Sequence, residues 1–151
     1  MNSIRLRPLW VVYLLFGGLL LVLVVSAMRE TLANAPSRDA VAKLEPYGLV
    51  TVRFSTDPNP PLLSGTVGLS FALSDRQRRP VPIDWAQFEY GMQGSDQRLG
   101  SSEARPMGNG SGMLMGQAQF PQVGTWWLRL KMAKGNSQAE VRYTFYVEPA
   151  Q

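Results

Sequence analysis

Six stretches between Leu49 and Val147 place apolar residues at every second position, a period that commits this part of the chain to half-buried β-strands. Val50, Val52 and Phe54 share one face, and so do Val67, Leu69, Phe71 and Leu73. Ala86, Phe88, Tyr90 and Met92 oppose Trp85, Gln87 and Glu89. Leu114, Gly116, Ala118 and Phe120 form a fourth set, and Trp126, Leu128, Leu130 and Met132 a fifth. Ala139, Val141, Tyr143, Phe145 and Val147 complete the pattern. Between the first two runs, STDPNPPLLSG carries too much proline to be a central strand. With a weaker strand over 103–107 the count reaches about seven, separated by turn signals, which predicts an all-β immunoglobulin-like antiparallel sandwich over residues 48–148. Trp126 is its expected aromatic plug.

The N-terminal part follows a different rule. From Leu9 to Met28 there is no charged residue, and as a helix this run spans about 30 Å, the hydrocarbon thickness of a bilayer. It reads as a transmembrane helix, longer than the apolar core of a cleaved secretory signal. Arg5 and Arg7 in the tail 1–8 keep that tail cytoplasmic by the positive-inside rule and the remainder outside the cell membrane, while Trp10 and Tyr13 sit where interfacial rings prefer to lie. Gly17-Gly18 permits close packing against another helix. Residues 29–47 read as a polar spacer, in which Ser37 caps a short helix that ends before Pro46.

Setting Arg5 and Arg7 aside, 13 basic residues face 11 acids, so the external part has no nucleic-acid footprint. The chain has no cysteine and no histidine, which removes disulfides, the commonest metal ligand and the commonest general base. No serine can be activated by a histidine, and Asp75, Asp84 and Glu89 fall at turn or surface-strand positions by pattern. GNGSG lacks the lysine and helix of a phosphate loop and reads as a hairpin turn. The expectation is a protein that is not an enzyme and carries no cofactor.

What remains are soft and cationic side chains. Met92, Met107, Met113 and Met115 are the external methionines, and three or four converging thioethers select Cu(I) over harder ions. Alternation puts Met113 and Met115 on one side, about 7 Å apart and away from Leu114. The same alternation turns Trp127 opposite to Trp126, so Met113, Met115 and Trp127 are expected to form an exposed partner-binding patch. Arg76, Arg78 and Arg79 crowd one turn, where guanidinium groups would meet lipid phosphates or an acidic subunit surface.

The order of landmarks resembles the YtkA-like and FixH-like family of membrane-anchored extracytoplasmic domains. The matching pieces are Asp57-Pro58 with Pro60-Pro61, DRQRRPVP at 75–82, Met92-Gln93-Gly94, Gly112-Met113-Leu114, and Val123-Gly124-Thr125-Trp126 leading into Leu128 and Leu130. The resemblance implies an accessory subunit docked on the outer face of a respiratory or photosynthetic electron-transfer complex, with other subunits and the bilayer as partners. Its alternative is a Cu(I) chaperone or metal-delivery module. This chain departs from the family in having one methionine in MQGSD and no histidine.

Overall fold

The computed structural model describes residues 17–20, 22, 38–63, 65–108 and 110–150. The chain divides into two compact units, Met1–Ser37 and Arg38–Gln151. In the first unit residues 17–20 and Val22 are helical. Most of the expected span 9–28, with its anchors Trp10 and Tyr13, lies outside the described residues, among which no helix is long and apolar enough to cross a membrane.

The second unit is all-β. Its nine strands are β1 (Asp39–Leu44), β2 (Gly48–Asp57), β3 (Thr66–Ser74), β4 (Trp85–Met92), β5 (Gly100–Glu103), β6 (Arg105–Pro106), β7 (Met113–Gln119), β8 (Gly124–Lys134) and β9 (Ser137–Val147). They form two antiparallel sheets, a five-stranded one in the order β1-β2-β3-β7-β6 and a four-stranded one in the order β5-β4-β8-β9. The apolar sets read from the sequence face inward. Val50, Val52, Phe54, Val67, Leu69, Phe71 and Leu73 from one sheet meet Ala86, Phe88, Leu128, Leu130, Val141, Tyr143 and Phe145 from the other in one core.

Trp126 is fully buried where one end of this core is densest in rings, with Phe120 edge-on at 5.1 Å and Tyr90 at 6.2 Å. Its indole N–H donates to the Gln122 carbonyl at 3.1 Å, so the polar end of the plug is satisfied while its body stays dry. Gly116 occupies a core-facing position of β7 because the Phe88 ring lies against it, where any Cβ would overlap the ring.

Two elements depart from the sequence reading. The segment from Asp39 to Leu44, expected as a spacer helix, is a strand that pairs along its whole length with β2. Its inward residues are Ala40, Ala42 and Leu44, and pairing with an existing sheet edge outweighs the weak strand preference of alanine. The single strand expected over 103–107 is divided. Ala104 is buried and donates its amide to Ala86 at 3.0 Å, and there the chain leaves β5 on one sheet to become β6 on the other.

Candidate functional site

The run RPMGNGSGMLMGQ, residues 105–117, forms a hairpin in which β6 returns against β7. Gly108, Gly110 and Gly112 all have positive φ, of 66°, 76° and 65°, which L-residues with side chains rarely adopt. Gly112 is further constrained: a Cβ there would stand 2.7 Å from the Leu73 carbonyl oxygen. The sharp return brings the Met107 amide to donate to the Met113 carbonyl at 2.8 Å, and the Ser111 hydroxyl donates back to the Met107 carbonyl.

Register then places the methionines. Arg105 lies opposite Met115 and Pro106 opposite Leu114, so Met107 lies opposite Met113. Directly opposed residues of an antiparallel pair project from the same face, with Cβ atoms about 5 Å apart. Leu114 is buried in the core, which puts Met107, Met113 and Met115 together on the outer face of the five-stranded sheet. Met107 and Met115 are 48% and 42% exposed and Met113 is half-buried. On the far side of Met113 and Met115 the neighbouring strand presents only Ala72 and Ser70, which leave space over the sheet.

Met92 does not belong to this face. It ends β4 on the other sheet, opposite Trp126, and packs against the core with its methyl group near Gly124. By register three of the four sequence candidates share one face, and the fourth packs against the core. Thioethers are neutral, carry no proton to displace, and suit Cu(I) rather than Zn(II) or Mg(II). Among the described residues there is no group of three or more His, Cys, Asp or Glu side chains placed to hold a metal ion.

The expected patch of Met113, Met115 and Trp127 does not form. Trp127 is 4% exposed and lies on the outer face of the four-stranded sheet, while the methionines lie on the outer face of the other. The connection from Gln93 to Leu99 folds back over the indole, whose N–H donates to the Ser95 carbonyl at 3.0 Å. The guanidinium groups of Arg129 and Arg142 cover the ring at 5.6 and 5.3 Å from its centre. Beside them Glu89, largely buried, pairs with Lys131 at 3.2 Å, Arg129 at 3.3 Å and Arg98 at 3.6 Å.

The arginine turn also divides. Arg79 bends back onto Asp75, its Nε 2.7 Å from Oδ2, while the amides of Gln77 and Arg79 donate to Oδ1 at 2.8 and 2.9 Å. Asp75, read as an ordinary turn acid, is a buried organiser of this turn, and these donors, the Arg79 amide foremost, hold its carboxyl below the usual range against the opposing effect of burial. Arg78 adopts a left-handed φ of 62°, and it and Arg76 remain exposed.

No protein-family model matches this chain, and no curated protein does either. Two solved structures are similar to it in outline. One is CopC from Methylosinus trichosporium OB3b, at 15% identity and a TM-score of 0.42 over 60% of this chain and 82% of that one. The other is an engineered protein, at 9% identity and a TM-score of 0.46 over 70% of this chain and 21% of that one. Alignments this loose carry no functional information. Of what the YtkA-like and FixH-like resemblance implies, the structure shows the frame of two antiparallel sheets.

Proposed function

We propose that this chain is a non-catalytic, extracytoplasmic, immunoglobulin-like module that holds Cu(I) through the thioethers of Met107, Met113 and Met115. The observation that carries the reading is the hydrogen bond from the Met107 amide to the Met113 carbonyl. It closes the hairpin so that a methionine distant from the other two by a glycine-rich turn arrives on their face. The partial exposure of Met107 and Met115 gives an ion a path in and out, which suits a delivery module better than a permanent store. With the apolar run 9–28 as its anchor, the module is held at a membrane, where confinement raises its effective concentration near a membrane-bound acceptor.

The test is competition between the full chain in mild detergent and a chromophoric Cu(I) chelator under reducing conditions. Met113→Leu is expected to weaken Cu(I) binding by about tenfold or more, equivalent to about 1.4 kcal/mol. Met92→Leu is expected to leave it unchanged. Affinity is also expected to stay constant from about pH 5 to pH 8, because thioethers do not titrate there, unlike cysteine or histidine ligands. Failure to compete at all ends the proposal. The docking reading loses Trp127 and falls back on the exposure of the same methionines; its support would be a stoichiometric membrane complex that still forms when Met113 is leucine.

A further inference from the structure

Strand β7 is filled along one edge and open along most of the other. The Leu73 amide donates to the Gly112 carbonyl at 2.7 Å on the β3 side, and the Met107 amide donates to the Met113 carbonyl at 2.8 Å on the β6 side. Peptide groups alternate sides along an antiparallel strand, so those of Leu114, Gly116 and Ala118 face β3 while those of Met115, Gln117 and Gln119 face the β6 side. The pairing agrees: β3 runs beside β7 as far as Gln119, whereas β6 reaches only Leu114 and Met115. β6 is this short because its chain crosses to the other sheet at Ala104. The donors and acceptors of Gln117 and Gln119 are left in the sheet plane on exposed residues, with β5 across the seam from them but paired to β4 rather than to β7.

A continuous open seam lies along this edge. Three adjoining hollows of about 560, 280 and 440 Å³ share Tyr90 and Gln119, then Ser102 and Gln117, as they pass from one end to the other. The first has an apolar wall, Leu99, which is 45% exposed, with Phe120 and Pro121, facing the more polar Tyr90 and Gln119. The middle is polar and uncharged, lined by Thr66, Ser101, Ser102, Gln117 and Gln119. The last ends at Arg105, whose only ion pair among the described residues is a 3.8 Å contact with the exposed Glu103.

We infer that this seam binds the C-terminal end of an extended peptide from a partner protein, added to β7 as the strand that β6 fails to supply. Unpaired peptide groups give affinity without sequence demands, and the hollows set the sequence preference. A strand continuing the line of β6 runs antiparallel to β7, from the Phe120 end towards Met115. There the crossing at Ala104 blocks further extension, so the occupant must end, and a terminal carboxylate meets the Arg105 guanidinium. The uncharged middle of the seam excludes charged residues from the body of the peptide. At about 3.3 Å per residue the apolar hollow receives a side chain about five positions before the carboxylate. The last hollow borders Met115, so the two sites adjoin, but the peptide reading does not depend on the copper reading.

The probe is a displayed library of random hexapeptides with free C-termini, selected against the full chain in mild detergent. Enriched sequences are expected to carry an apolar residue near the N-terminal position and no charge between it and the carboxylate. Synthesised peptides are expected to protect the Gln117 and Gln119 amides from hydrogen exchange, and to bind roughly tenfold more weakly as C-terminal amides or to Arg105→Gln. Gln117→Pro removes an outward amide, which an edge strand tolerates, and is expected to abolish binding while the fold persists by circular dichroism. The proposal is overturned by a library that yields no enrichment, or by peptides that leave both amides unprotected. It is equally overturned if the amides are already protected in a concentration-dependent dimer, because the seam then belongs to a second copy.

Discussion

At the scale of single residues, Asp75 shows how a buried acid differs from the turn residue it resembles in sequence. Its carboxylate accepts from two amides and one guanidinium, so the ionised form is held by the fold and lost with it. The sign follows from its depressed pKa: the unfolded carboxyl titrates near pH 4, so its contribution is complete above that and disappears as pH falls further through the lower folded value. Asp75→Asn is expected to lower the midpoint of thermal unfolding by several degrees at pH 7, with the gap to the parent narrowing below about pH 4. Parallel melting series across that range check this; a gap independent of pH would show that shape rather than charge holds the turn. Gly116 is the residue-scale counterpart in the core. Alternation alone assigns it an inward position, but that the space is taken by Phe88 is visible only when the opposite sheet is in place.

At the scale of elements, periodicity located six strands and their faces because side-chain direction depends only on parity. It placed Met113 and Met115 outward and Trp126 inward, and it turned Trp127 to the outer face. What parity does not carry is cover and partnership. Trp127 is hidden by the Gln93–Leu99 connection, a choice made by loop packing, and Met107 joins the other methionines through a turn whose glycines allow many closures. Residues 39–44 do not read as a strand in sequence because their alanines and flanking caps satisfy a helix equally well until β2 lies beside them. The cover over Trp127 is testable at Gly91, where a Cβ would stand 2.7 Å from Cζ2 of the indole and against the Gln97 carbonyl. Gly91→Ala is expected to lift the connection, to expose the indole N–H of Trp127 to rapid hydrogen exchange, and to cost about 1–3 kcal/mol from overpacking. An unchanged exchange rate would mean that the loop yields without uncovering the ring.

At the scale of the whole sandwich, the two sheets are joined by packing and by a buried polar link. The Tyr143 hydroxyl on β9 donates to the Val52 carbonyl on β2 at 2.8 Å, and its ring packs on Phe54 at 5.0 Å between centroids. Burial raises the phenol pKa far above its ordinary value, with Asp39 adding to the effect, so the folded state keeps this group neutral where an unfolded chain ionises it. A folded pKa raised above the unfolded one means that the contribution is complete below about pH 10 and is lost as pH rises beyond it. Tyr143→Phe keeps the ring and removes both the link and the titration. It is expected to cost about 1 kcal/mol at pH 7, the net value of such a bond, and to flatten the loss of stability above about pH 10. Denaturant unfolding at neutral and alkaline pH measures both, and the comparison between the parent and the variant isolates this phenol from the other tyrosines. If the parent and the variant lose stability equally above pH 10, then the sheets come apart in base for another reason, and the Tyr143 to Val52 bond is a consequence of their packing rather than a cause of it.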